Sequence, residues 1–307
     1  FKAELAEDVQ TVHNTTARVI PFQAQVDNQN VVGTPSYGLL LTDGDQVSAT
    51  NPFEYSPALY NDNPTITPST ITADTESLNV NFTSKSDCYV QTDTYYKLKV
   101  RNERNERKLQ AVGNEVQDRL VSLESKNDFL GYYGPNVYWM LEKSGLGVKL
   151  RCSNGKYVEA TNPAANGSTT KATLADNGTT FYLYDKHSDI TEVEKGFMFK
   201  LANAPYSYLG DHATNNCLGV WRNSEKSHKD IGSCFNMVEL FSLDAAKRAL
   251  SERLTSFTQP TTPAADVFRV ATETQIQDAM TAVENATTIA SLNEAYNKAF
   301  GVQPDPT

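Results

Sequence analysis

Three leucines recur at steps of 52 and 51 residues: Leu98, Leu150 and Leu201. Each closes a short alternating run, Tyr96-Lys-Leu98, Val148-Lys-Leu150 and Phe199-Lys-Leu201. A second marker follows at Leu109, Val158 and Leu209, and a third at Phe129, Phe181 and Phe235. The context Gly178-Thr-Thr-Phe181 matches Gly232-Ser-Cys-Phe235. A period near 50 signals a repeat architecture. The turn pairs Asn154-Gly155, Asn166-Gly167 and Asn177-Gly178 divide the units into about four short strands each. Four strands in each of three units form a β-trefoil. A propeller is the alternative, but three blades are too few to close one. Closed pairing also removes the open edges that a flat sheet would leave.

The sequence therefore predicts a mainly β chain: a trefoil core over 95–243, a preceding β segment, and flanking helices. Residues 1–17 read as an N-terminal helix, with Leu5, Val9 and Val12 on one face. Over 18–94, Pro21, Pro35, Pro52, Pro57, Pro64 and Pro68 forbid long helices and mark turns between short strands. This segment reads as an independent β region or as a degenerate fourth unit. Leu39 and Val47 repeat the eight-residue offset of Leu150–Val158 and Leu201–Leu209, and Ala49-Thr-Asn-Pro52 repeats Ala160-Thr-Asn-Pro163. Residues 244–307 switch to helical period. Leu243, Ala246, Leu250, Leu254 and Phe257 share one face, and Ile276, Met280 and Val283 another. Ile289, Leu292, Tyr296 and Ala299 make a third. Thr272-Glu-Thr-Gln275 has the pattern of a capping box.

The span 95–243 resembles β-trefoils of the ricin-B-like or fascin-like sort. More loosely, it is similar to modules attached to surface proteins of glycan-foraging bacteria. Gly155-Lys-Tyr-Val-Glu-Ala160 and Cys217-Leu-Gly-Val-Trp221 carry the likeness. The resemblance implies a non-catalytic carbohydrate-binding module of an exported, cell-surface protein. A glycan or a surface protein is the implied partner, and no cofactor is expected. It also implies a bridge between Cys217 and Cys234, paired across a hairpin as in ricin-like repeats, with two buried thiols as the alternative. Ricin-type repeats carry an aspartate shortly after Cys-Leu, where this chain has Gly219. That departure keeps a second reading open, a structural or adhesive spacer that binds proteins. Phe1 is not a start methionine, and the expectation is a piece of a longer, multidomain chain.

Sugar sites set an aromatic face against the apolar C–H patch of a ring, with Asp, Asn or Gln fixing the hydroxyls. Tyr206, Asp211, Asn215, Trp221 and Asn223 cluster in the third unit and have that inventory. Tyr208 and Trp221 also suit a buried core. The sequence holds no nucleophile elbow, phosphate loop, HExxH or CxxC, so no enzyme and no metal site are expected. Asp43-Gly-Asp45 and Asn61-Asp-Asn63 read as turns. The net charge of -10 argues against nucleic acid and anionic membranes. No apolar run approaches the ~18 residues that inserting in a bilayer needs.

Overall fold

The computed structural model describes residues 16–88, 90–102, 105–112, 115–117, 137–185, 196–204, 206–212, 217–222, 231–258 and 273–300. The chain divides into two compact units, Phe1–Cys88 and Tyr89–Thr307. The expected helix over 1–17 falls almost wholly outside the described residues.

The first unit is a small sheet of β1 (Arg18–Val26), β2 (Gln29–Asn30), β3 (Gly38–Leu41), β4 (Thr65–Thr67) and β5 (Leu78–Phe82). Strand β1 alternates, burying Ile20, Phe22 and Ala24 against Leu78, Val80 and Phe82 of β5. It pairs β5 in parallel and β2 and β3 in antiparallel fashion. Asp27 and Asn28 join β1 to β2 with φ of 50° and 65°. Two positive-φ central residues give the turn whose twist matches the flanking strands. Asp45 accepts from the Thr42 amide at 2.8 Å, and Asp43 pairs with Arg18 at 3.5 Å, so this acidic triplet is a turn. The segment is not a fourth trefoil unit. Leu39 is only half-buried, and β1 lies beside β5 in a parallel pair that the trefoil units lack.

In the second unit six strands close on themselves. They are β6 (Tyr95–Asn102), β10 (Trp139–Ser144), β11 (Gly147–Cys152), β15 (Thr180–Asp185), β16 (Phe197–Leu201) and β19 (Phe235–Leu240). Strand β6 pairs β10, β10 pairs β11, β11 pairs β15, β15 pairs β16, β16 pairs β19, and β19 returns to β6, every pair antiparallel. Three hairpins cap this barrel. They are β8 (Gln110–Val112) with β9 (Glu115–Gln117), β12 (Tyr157–Glu159) with β14 (Thr173–Ala175), and β17 (Ser207–His212) with β18 (Cys217–Arg222). The caps meet one another where Thr173 faces Glu115 and Cys217 faces Gln117. Strands β7 (Asn105–Lys108) and β13 (Thr169–Lys171) extend the sheet on β6 and β18. A closed six-stranded barrel with three capping hairpins is a β-trefoil.

The strand registers fix the threefold equivalences. Met237, Leu141 and Leu183 face Leu98, Leu150 and Phe199. Phe235, Trp139 and Phe181 face Val100, Cys152 and Leu201. The structural partner of Leu98 and Leu150 is therefore Phe199. Leu201 lies two residues further along, level with Val100 and Cys152. The three leucines that mark the repeat therefore do not share one layer: in the third unit Leu201 is offset by one pleat repeat. Both residues of that alternating run are buried, so the periodic signal could not tell them apart. The third marker shifts similarly. Phe129 lies outside the described residues, and Trp139 takes the place equivalent to Phe181 and Phe235. Its Nε1 donates to the Leu109 carbonyl at 3.0 Å. In the caps the equivalent buried pairs are Ala111–Val116, Val158–Leu174 and Leu209–Val220.

Among the described residues, three helices complete this unit: α1 (Leu243–Thr258), α2 (Glu273–Asn285) and α3 (Ile289–Phe300). Ala246, Leu250, Leu254, Ile276, Ala279, Val283, Leu292 and Ala295 form their core. Helix α2 begins at Glu273, one residue past Thr272, which is outside the described residues. Thr288 and Ser291 instead form a reciprocal cap at the start of α3. The Ser291 amide donates to Thr288 Oγ1 at 3.1 Å, and the Thr288 amide donates to Ser291 Oγ at 3.0 Å. The helices also touch the barrel. Phe241 meets Tyr138 edge-on at 5.0 Å, and Asn293 Nδ2 donates to the Ser153 carbonyl at 2.9 Å. Trefoil and helices are thus parts of one compact unit.

Leu150→Ala should cost ~2–5 kcal/mol in denaturant unfolding followed by Trp139 fluorescence, through lost burial and a cavity. Cys152 is fully buried, and desolvation pushes its thiol up to about 12. The folded state favours the protonated thiol, so its stabilisation is full below about pH 9 and drains away as pH rises toward 12. Cys152→Val, which installs the residue found at the equivalent Val100, should reduce this alkaline loss. The measurement is unfolding free energy against pH for the two proteins.

Candidate functional site

The third-unit cap carries the residues expected to bind ligand. Trp221 lies on β18 directly opposite Tyr208 on β17, with Thr169 of β13 on its other side. The next same-face pair is Gly210 opposite Gly219. A Cβ at Gly210 would come 2.5 Å from Ser233 Oγ and 3.4 Å from Trp221 Cδ1. The glycine thus lets the 3-10 turn Ile231–Ser233 close over one end of the hairpin while the indole lies beside it. Tyr208 is buried with Met198 and Cys234, and Trp221 remains half-buried. The Trp221 indole is therefore a partly open ring on a paired strand. The hairpin is tied down nearby: Ser207 Oγ donates to Asn162 Oδ1 at 2.7 Å, and Arg222 Nη1 to the Pro163 carbonyl at 3.1 Å.

Of the other expected residues, Tyr206 lies just ahead of β17, half-buried, with a left-handed φ of 60°. Asp211 pairs with Leu218 in register, one position out of phase with Tyr208 and Trp221. Asn215 and Asn223 lie outside the described residues.

Cys217 and Cys234 are both buried thiols. The structure does not join them by the expected bridge. Cys234 packs beside Tyr208, and Cys217 pairs with His212, four residues further along β17. Register also places Cys234 level with Thr180 of the second unit, a position suited to a small buried group.

The threefold equivalence shows what the other caps hold at these positions. Trp221 corresponds to Ala175 in the second unit and Gln117 in the first, and Tyr208 corresponds to Tyr157 and Gln110. An aromatic residue thus recurs in the second cap on the opposite strand. The phrase around Tyr157 carries no local sign of the residue's place, because only the register reveals its match with Tyr208.

No protein-family model and no curated protein sequence matches the chain. Among solved structures, a ricin B-like lectin of Macrolepiota procera in complex with lactose is similar at 14% identity and a TM-score of 0.36. The match covers 49% of this chain and 98% of the lectin. The Rhizoctonia solani agglutinin is similar at 15% identity and TM-score 0.35, over 49% of this chain and 98% of its own. A designed threefold-symmetric protein, ThreeFoil, is similar at 17% identity and TM-score 0.33, over 48% of this chain and 100% of its own. The trefoil assignment itself rests on the closed strand pairing above.

Acrylamide should quench Trp221 and spare Trp139, so Trp221→Phe should remove most of the quenchable emission. Alkylation of unfolded, unreduced protein should label both Cys217 and Cys234. An unlabelled pair two mass units light would restore the bridge.

Proposed function

We propose that this chain is a non-catalytic carbohydrate-binding module of an exported, cell-surface protein, with Trp221 as its stacking platform. The observation that carries the reading is the half-buried indole on a hydrogen-bonded hairpin. A ring held by strand pairing meets a sugar's C–H face with little ordering cost, and such preorganisation favours affinity. Indole also supplies the large flat apolar area that sugar stacking uses. The cell-surface placement draws on the sequence likeness of Gly155–Ala160 and Cys217–Trp221 to modules of surface proteins.

A second reading, a spacer that binds proteins, is favoured by one feature of the first unit. Val19 and Leu40, 69% and 68% exposed, face each other across β1 and β3 as an open apolar pair.

Screening the full chain on a glycan array should yield binding to a defined glycan at micromolar strength. That glycan should perturb tryptophan emission, and Trp221→Ala should weaken binding at least tenfold while leaving the unfolding midpoint nearly unchanged. Array binding that survives Trp221→Ala would remove Trp221 from the site. A blank array together with protein capture that Leu40→Lys abolishes would favour the spacer.

A further inference from the structure

The outer face of β10, β11 and β12 gathers side chains that the Trp221 site does not use. Tyr157 on β12 stands opposite Arg151 on β11. The Tyr157 hydroxyl donates to Glu142 of β10, at 3.0 Å to Oε2 and 3.2 Å to Oε1. Arg151 Nη1 reaches Glu142 Oε2 at 3.4 Å. The Arg151 guanidinium lies 5.5 Å and the Lys149 ammonium 5.8 Å from the centre of the Tyr157 ring. Gly178 lets the backbone pack against the root of the Tyr157 side chain, because a Cβ there would come 2.4 Å from Tyr157 Cβ. The three groups are positioned on paired strands, and their side chains remain partly open, 36% for Arg151 and 33% for Glu142.

The chemistry is unbalanced toward donors. A guanidinium offers five N–H groups and an ammonium three. Among the described residues, the one hydrogen bond from the Arg151 guanidinium is its Nη1 contact with Glu142, and its Nε is buried with no acceptor. The Nε is covered by protein, so a ligand oxygen would meet the outer guanidinium donors that the partly open side chain leaves to solvent. Two cations face one carboxylate that already pairs with Arg151, leaving local positive charge on a chain of net charge -10. Arginine's planar fork matches a carboxylate, and the tyrosine ring offers a face for a pyranose. Glu142 retains lone pairs for a hydroxyl.

We propose that Tyr157, Arg151, Lys149 and Glu142 form a second, separate ligand site that takes a saccharide bearing a carboxylate. Arg151 and Lys149 hold the acid group, Tyr157 stacks on the ring, and Glu142 accepts from a ring hydroxyl. The proposal extends the carbohydrate-binding reading but needs nothing from Trp221. The first cap has Gln110 at the position of Tyr157, so this combination belongs to the second unit.

Calorimetric titration of the full chain tests it with three probes: a hexuronic-acid disaccharide, the matching neutral disaccharide, and sodium acetate. The acidic disaccharide should bind at least tenfold more tightly than the other two, and more weakly as salt rises. Arg151→Gln should weaken it at least tenfold. Arg151→Lys should fall between, and Trp221→Ala should leave it unchanged. Trp139 emission confirms that each variant is folded. Equal binding of the neutral sugar, equal binding of acetate, or indifference to Arg151→Gln each overturns the proposal. Trp221-dependent glycan binding without uronate binding overturns this site alone. Uronate binding without Trp221-dependent binding upholds it and removes the Trp221 site.

Discussion

Closure of the six-stranded barrel is the constraint on which the second unit depends. Each barrel strand is bonded on both sides, so no edge of the barrel is left to solvent or to a neighbouring chain. Closure brings three strands of like sequence around one axis and packs their inward residues in layers. Leu98, Leu150 and Phe199 make one such layer, and Val100, Cys152 and Leu201 the next, all of them buried. The unequal sizes across a layer are absorbed locally. Cysteine stands where the other units have valine and leucine, and phenylalanine stands where they have leucine. Around Phe199, Phe197 and Phe235 pack edge to face or tilted at 5.0–6.3 Å, filling the space of the third unit.

The caps take their positions from the barrel, and the surface chemistry follows from the caps. Each hairpin sends one face inward, Val158 with Leu174 and Leu209 with Val220, and leaves the other free to vary. In the third unit that freedom yields a paired Tyr208 and Trp221 beside two glycines. In the second it yields Tyr157 beside a carboxylate and two cations. Neither surface is needed to close the barrel. Threefold architecture with unequal surfaces is what a binding scaffold requires: the fold repeats, while the exposed positions differ in chemistry.

The helices fit the same logic. Their apolar faces bury chiefly against one another, and the contacts of Phe241 with Tyr138 and of Asn293 with Ser153 attach them to the barrel. Tyr138 is the residue preceding Trp139, so the attachment sits beside one of the barrel's largest buried side chains.

Periodicity alone determined the existence of three units, the mainly β class and the helical finish. Hydrophobic spacing records burial, and burial recurs wherever the fold recurs. It determined register less well. Phe199 and Leu201 are both apolar and two apart, and a period-two pattern reads the same after a shift by two. Unequal joins, a tight turn between β10 and β11 and a long connection between β15 and β16, also hid Trp139 as the match for Phe181. The likeness to ricin-type repeats implied a bridge between Cys217 and Cys234, whereas the structure holds them as two buried thiols. The candidate site divides in the same way. The sequence could collect Trp221 and Asp211 into one neighbourhood, but only strand pairing decided which positions share a face. Tyr157, Arg151 and Glu142 come from three strands and carry no local motif. Their meeting is a product of tertiary pairing, because side chains on adjacent strands become neighbours only once the barrel has closed.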